Sequence, residues 1–195
     1  QEARKKLRLK GNVYLIIGNL QPVNGADIIL SQAEKIGKTV LVATNPKSVN
    51  IKSNKKAGNY ISLLLDIVKK NKSEKFVRFD LREIPYSLWW NYFSAADLVL
   101  LPYRGGIGSG IFSDAMAVNK PVVVSNIPYF KWVAKDYGCV KIAKTEKDFP
   151  KIIKEAMRPK NYRKMEEECK RYFKERGISA VVEKYKKLYS SLIKN

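Results

Sequence analysis

The run Arg104-Gly105-Gly106-Ile107-Gly108-Ser109-Gly110 carries residue types that can hold an anion with the main chain alone. Gly105, Gly106, Gly108 and Gly110 admit positive φ and let a ligand approach the backbone closely. Ser109 is a good helix N-cap, which leaves the N–H groups of Gly110, Ile111 and Phe112 unpaired at a helix start. Together with the positive end of the helix dipole, those donors form a phosphate cradle. Asp114 falls about one turn further on, within reach of a sugar hydroxyl beside that phosphate. The same residues also suit a tight strand-to-helix connection with an ordinary cap, and residue types alone leave both readings open.

The elements that must position this turn follow from the apolar pattern. Leu98-Val99-Leu100-Leu101 is a near-continuous apolar run, as expected of a strand buried on both faces. Similar runs predict strands at 12–18, 39–43, 75–79, 121–125 and 139–142. Between them, helical spacing predicts helices at 3–10, 26–36 (ending at Gly37), 60–70, 85–95 and 129–137. Residues 19–25 read as a loop punctuated by Pro22 and Gly25, and 44–56 as a loop or frayed helix start. From Phe149 onward the chain reads as helices at 149–157, 159–175 and 179–193, the last capped by Ser179 after Gly177. Strands alternating with helices predict an α/β fold: a Rossmann-like parallel sheet of about six strands, helices on both faces, and a helical C-terminal extension. Ligands of such sheets bind outside the carboxyl ends of the strands, where the Gly105–Gly110 turn lies, and this favours the phosphate reading of that turn.

Composition narrows the chemistry. The chain has 195 residues, long enough for one sizeable core, with 45% apolar and 29% charged residues. No segment is apolar enough to span a membrane. His is absent, which excludes Ser-His-Asp and Cys-His catalysis and His-based metal sites, and Cys139 and Cys169 have no metal-ligand spacing. No metal site is expected, and cytoplasmic residence is the simplest inference. The formal net charge of +20 favours an anionic partner, such as a nucleotide, a nucleic acid or an anionic membrane surface. The lysines are scattered over every helix, however, so a solvated basic face explains most of them. The aromatic residues of 86–93 read as packing, so nucleic acid is the least favoured partner.

On several of these segments the sequence resembles the C-terminal, nucleotide-sugar-binding domain of GT-B-fold glycosyltransferases of the family-four, group 1 type. Leu15-Ile16-Ile17-Gly18-Asn19-Leu20 with Asn24-Gly25 is similar to that family's opening strand and loop. The run from Tyr92 to Pro102 is similar to the segment before its donor site. Asp114-Ala115-Met116-Ala117-Val118-Asn119-Lys120-Pro121-Val122-Val123 resembles its Glu-Ala-Met-Ala-x-Gly-Lys-Pro-Val-Val segment, and 182–189 its terminal helix. Pro102-Tyr103-Arg104 and Ser109-Gly110 match a subset of the family in which turn N–H groups hold the donor.

The resemblance implies a retaining, metal-independent glycosyltransferase that uses no cofactor, only a nucleotide-sugar donor such as a UDP- or GDP-sugar. Residues 1–195 would form the single donor-binding domain, with an N-terminal acceptor domain as its partner, so the isolated domain is expected to be inactive. The start at Gln1 is read as trimmed, the C-terminal half of a larger enzyme, with a separately encoded subunit as the alternative. The implied donor-binding residues are Asp114, Ser109, Gly110, Ile111, Gly108, Arg104, Gly18, Asn19 and Asn24, and no catalytic residue is assigned. The sequence departs from the family at four places. The second of two signature glutamates is Asp114 here, which keeps the carboxylate with a shorter reach. The first falls near Gly106, and the arginine and lysine that neutralise the diphosphate fall at Asn19 and Asn24. Arg104, or a basic residue near Lys47, is the candidate replacement. The basic surface fits attachment to an anionic bilayer near a lipid-linked acceptor. Three rival readings remain: a degenerate, non-catalytic interaction domain, a nucleic-acid-binding domain, and a nucleotide-sugar epimerase of the same fold.

Overall fold

The computed structural model describes residues 2–45 and 55–193, with side chains described from 60 onward in the second stretch. Six strands form one parallel sheet: β1 (Val13–Ile17), β2 (Thr39–Thr44), β3 (Val77–Leu81), β4 (Leu98–Leu101), β5 (Val122–Ser125) and β6 (Val140–Ala143). Their spatial order is β3-β2-β1-β4-β5-β6, so the chain reverses direction across the sheet between β1 and β4. That junction is the switch point at which doubly wound sheets open a crevice.

The inner strands are mostly apolar because both faces are covered, whereas the edge strands β3 and β6 carry Arg78, Asp80 and Lys141. The period-2 alternation sorts the side chains between two layers. Val13, Leu15 and Ile17 of β1, with Val99 and Leu101 of β4, face one layer. Its helices are α1 (Glu2–Lys6), α5 (Tyr86–Ala95), α6 (Gly110–Ala117) and α7 (Pro128–Asp136). Tyr14 and Ile16, with Leu98 and Leu100, face the other layer. There they meet α2 (Ala26–Leu30), α3 (Ala33–Ile36), α4 (Lys55–Lys70) and α8 (Phe149–Ala156). The helix α9 (Pro159–Arg176) straddles the two layers, burying Met165 in one and Cys169 in the other. The last helix, α10 (Ile178–Ile193), buries none of its residues.

The amino ends of the sheet are closed by Asp97 at the mouth of β4. One carboxylate oxygen accepts from the Val13 N–H at 2.8 Å and the other from Arg4 at 2.8 Å, while Arg4 Nε donates to the Ala95 carbonyl at 2.9 Å. Asp97 is therefore a structural clamp at the end of the sheet away from the glycine turn.

Several sequence expectations need correction. The single helix expected at 26–36 is two short ones, α2 and α3, broken at Ser31-Gln32. The Gln32 carboxamide bonds the Ile28 carbonyl and, far along the chain, the Glu146 carbonyl, each at 2.8 Å, and this holds the break open. Glu74–Phe76 is a 3-10 turn, so β3 begins only at Val77. Pro22–Asn24, expected as loop, is a 3-10 turn as well. Ser179 is not a cap: α10 starts at Ile178, and the Gly177 carbonyl accepts the Val181 N–H at 3.1 Å. Of the stretch 44–56, Thr44 closes β2 and 55–56 open α4, while the remainder, apart from Asn45, and with it Lys47, lies outside the described residues.

Candidate functional site

The carboxyl ends of β1 and β4 flank the switch point, and the segments leaving them build the candidate site. After β1, Gly18 takes φ +113, and a Cβ there would stand 3.1 Å from Ile111 Cδ1. The chain then crosses the top of the sheet to Gly25, at φ +66, where a Cβ would stand 2.0 Å from the Pro102 carbonyl oxygen. Only glycine permits that approach, so Gly25 lets the β1 loop seat directly on the segment leaving β4. Asn24 fastens the loop to itself: its Oδ1 accepts the Gln21 N–H at 2.9 Å.

The turn after β4 is tied down at both ends. At its start, the Arg104 N–H donates to the Val23 carbonyl at 2.8 Å. The Arg104 guanidinium grips Asp27 with two bonds, of 2.9 and 2.7 Å, and donates to the Pro22 carbonyl at 2.7 Å. Tyr60 adds a 2.5 Å bond to Asp27 Oδ1. Burial alone would raise the Asp27 carboxyl, but the hydrogen bonds from Arg104 and Tyr60 hold it below the ordinary carboxylate range. The same bonds raise Arg104 further above its ordinary value. Arg104 is thus an inter-loop clamp, with both Nη1 and Nη2 engaged by protein oxygens.

At the far end of the turn, Ser109 caps α6 as its residue type predicts. It has extended backbone (φ −154, ψ 116), and its Oγ accepts the Phe112 N–H at 3.1 Å. The Tyr103 hydroxyl lies 3.1 Å from the same Oγ. Burial pushes the Tyr103 phenol up, despite that bond. Phe112 is fully buried among Tyr129, Phe130 and Tyr172, with ring centroids 5.2 to 6.1 Å away. That anchor, with Ala115 and Met116, fixes which face of α6 points inward. The N–H groups of Gly110 and Ile111, in the first turn of α6, have no intrahelical acceptor at this position in a helix. Of the turn's four glycines only Gly106 takes positive φ (+133), while Gly105, Gly108 and Gly110 have nothing within 4 Å of a built Cβ. Their contribution is bare main chain rather than unusual conformation.

The site residues named from sequence come together only partly. Asn19, Asn24, Ile111 and Tyr103 line a small cavity of about 40 Å³ above the ends of β1 and β4. Gly18 and Asn19 also line an adjoining cleft of about 280 Å³, completed by Thr44, Asn45, Glu83, Ile84 and Trp89 at the ends of β2 and β3. The Trp89 indole N–H, on one wall of this cleft, donates to Asp114 at 3.0 Å, and Asp114 is not itself among the lining residues. Arg104 is directed elsewhere, to Asp27.

Trp89, Thr44 and Glu83 are the residues sequence reasoning missed. Helical spacing places Trp89 against Phe93, at 5.7 Å between ring centroids, but nothing in the sequence links it to a helix 25 residues on. Thr44 is 1% exposed, and its hydroxyl has no hydrogen-bond partner among the described residues. A buried, unpartnered hydroxyl on a cleft wall is an unusual feature that a polar ligand would satisfy.

Comparison with known proteins bears on the family and the fold. The model of the family described as glycosyl transferases group 1 matches residues 1–176. No curated protein matches the sequence. Among solved structures, sucrose-phosphate synthase from Thermosynechococcus elongatus superposes with a TM-score of 0.81 at 16% identity, over 98% of this chain and 48% of its own. HepE of Anabaena, solved with UDP-glucose, gives a TM-score of 0.74 at 16% identity, over 97% and 52%. The C-terminal domain of the group 1 protein LpcC from Francisella tularensis gives 0.68 at 15% identity, over 90% and 91%. The chain thus spans about half the length of the first two and nearly all of the third.

Proposed function

We propose, from the premise that this chain belongs to the glycosyl transferases group 1 family, that it is the donor-binding domain of a sugar-transfer enzyme. The observation that carries this reading is the capped start of α6 at the sheet's switch point, with bare glycine backbone before it and a carboxylate one turn behind it. The diphosphate of a nucleotide sugar sits against the Gly110 and Ile111 N–H groups, with Gly108 leaving room for it. Asp114 accepts from the ribose hydroxyls. Gly18, Asn19 and the cleft at the ends of β2 and β3 face the rest of the nucleotide. UDP-glucose bound to the similarly folded HepE supports a UDP- or GDP-sugar as the donor class.

Transfer with retention, without a metal and with the leaving diphosphate assisting, follows from the family reading. So does a second domain supplying the acceptor site, glycan or lipid-linked. Two observations support that second domain. The chain spans about half of its longer structural relatives. On α10, Val181, Val182, Tyr185, Leu188, Tyr189 and Leu192 recur at helical spacing and are all exposed, an apolar stripe that another protein surface would cover.

A second reading, a degenerate domain that keeps the fold as an interaction module, is favoured by one observation. Neither Asn19 nor Asn24 carries charge, and the Arg104 guanidinium is engaged by Asp27. The two readings separate in thermal unfolding of the chain with uridine, guanosine and adenosine diphosphates and their sugars, beside the Asp114→Ala variant. A ligand at about 100 times its Kd raises stability by about 2.7 kcal/mol, and donor binding predicts a base-selective rise that the variant loses. No rise with any nucleotide would favour the degenerate domain.

A further inference from the structure

The indole of Trp89 does more than fill space, and its role rests on the donor-binding reading above. Its Nε1–H donates to Asp114 Oδ2 at 3.0 Å, the hydrogen bond that joins α5 to the outward face of α6. An indole N–H is a donor only, so this contact occupies Oδ2 as an acceptor and leaves Oδ1 with its full accepting capacity. The ring packs on a buried neighbour, and its helix is anchored to the sheet. Phe93, fully buried, lies 5.7 Å from it, and one turn away Tyr92 bonds Asp80 of β3 at 2.6 Å, fastening α5 to the sheet. Trp89 is also a wall of the cleft that Gly18, Asn19 and Thr44 share.

We propose that Trp89 is a positioning residue: it aims the Asp114 carboxylate, so that the site selects ligands bearing a ribose hydroxyl over their deoxy counterparts. An aspartate reaches less far than a glutamate, and its carboxylate is free to turn about the Cβ–Cγ bond. A donor clamped on one oxygen removes that freedom before the ligand arrives, which lowers the ordering cost of binding. The other oxygen then meets the sugar hydroxyl in a fixed direction. The ligand class is a ribonucleoside diphosphate, free or sugar-linked.

The test measures the affinities of the chain for UDP, 2′-deoxy-UDP, GDP and 2′-deoxy-GDP, in wild type, Trp89→Phe and Asp114→Ala. Phenylalanine keeps an aromatic ring against Phe93 and removes the indole N–H together with the ring that carries it. Wild type is expected to prefer the ribonucleotide by about tenfold, as for a hydrogen bond to a charged group. Trp89→Phe should cut that preference to about twofold, while any loss from the trimmed cleft wall falls equally on ribo- and deoxynucleotide. A parallel readout needs no change at Trp89: its indole N–H resonance, assigned with Trp90→Phe and Trp132→Phe, should shift with the ribonucleotide and much less with the deoxynucleotide. If both affinities fall together in Trp89→Phe with the preference intact, or the preference persists and the resonance stays still, the inference is overturned while donor binding stands. If wild type binds none of the four, the donor-binding reading falls and this inference with it.

Discussion

Gly25 offers the sharpest test of how the site is assembled. Replacing it with alanine puts a methyl group 2.0 Å from the Pro102 carbonyl oxygen, about 1.4 Å short of ordinary contact at 3.4 Å. Both partners are main chain, so no side chain can swing aside. The backbone at Gly25 is left-handed (φ +66), which costs a non-glycine residue about 1–2 kcal/mol by itself. Relieving the clash means lifting the β1 loop from the β4 exit, which breaks the 2.8 Å bond from the Arg104 N–H to Val23, worth about 1 kcal/mol. The total is about 2–3 kcal/mol before any loss at the Asp27–Arg104 pair. For a chain of this size each kcal/mol lowers Tm by about 2–4 °C, so Gly25→Ala should melt about 4–12 °C below wild type. Gly105→Ala is the control: nothing lies within 4 Å of its built Cβ and its φ is ordinary, so it should stay within about 0.5 kcal/mol. Paired urea and thermal melts decide the matter. A Gly25→Ala protein within 0.5 kcal/mol of wild type, or a Gly105→Ala protein equally damaged, would refute the claim that close backbone contact joins these loops.

Two further outcomes follow from the same geometry. Ser109→Ala removes the α6 cap and the partner of the Tyr103 hydroxyl, and should cost about 1 kcal/mol in urea unfolding. Ser113→Ala, whose exposed hydroxyl makes only a 3.4 Å contact, should cost less than about 0.5 kcal/mol. Asp27 sets a pH dependence. Its folded carboxyl lies below the ordinary value, so its contribution is complete above the unfolded pKa of about 3.9 and fades as pH falls through the folded value. Asp27→Asn should therefore be less stable than wild type at neutral pH, with the gap closing in acid. A gap independent of pH between 7 and 2 would contradict the assignment.

The sheet was legible because its information is local. β1, β4 and β5 are apolar at every position but Ser125, and such runs, separated by helical spacing, have few alternatives. The cap at Ser109 was legible for the same reason, since a cap is made between residues three apart. What the sequence hid depends on distant contacts. The break at Ser31-Gln32 is held by the Glu146 carbonyl, 114 residues from Gln32. Arg104, adjacent to the glycine turn, read as a phosphate ligand, yet folding brings Asp27 and Pro22 to it first. Ala95-Ala96-Asp97 read as a lead-in to the donor site, but its aspartate works at the opposite end of the sheet. Trp89 looked like packing because its partner lies on another helix.

Those hidden contacts change what the net charge means. A formal charge of +20 suggests a site rich in cations, but among the described residues the cleft beside α6 is lined by no lysine or arginine and by one carboxylate, that of Glu83. The arginine nearest the turn is neutralised by a buried-side carboxylate, and Asn24 is bonded into its own loop. On the proposed reading, negative charge arriving there would be met chiefly by the Gly110 and Ile111 N–H groups and the helix dipole, equivalent to about half an elementary charge. Most of the lysine charge lies on outer helix surfaces, where ions screen it beyond about 8–10 Å. The two sources therefore act on different steps. The surface field speeds encounter with any anion, without regard to its identity. On the donor-binding reading proposed above, selection would fall to directional, short-range groups: backbone donors for the diphosphate, and a carboxylate for the sugar. Directional groups of this kind can retain specificity after the two cations are gone, but they stabilise a departing diphosphate less than full charges would.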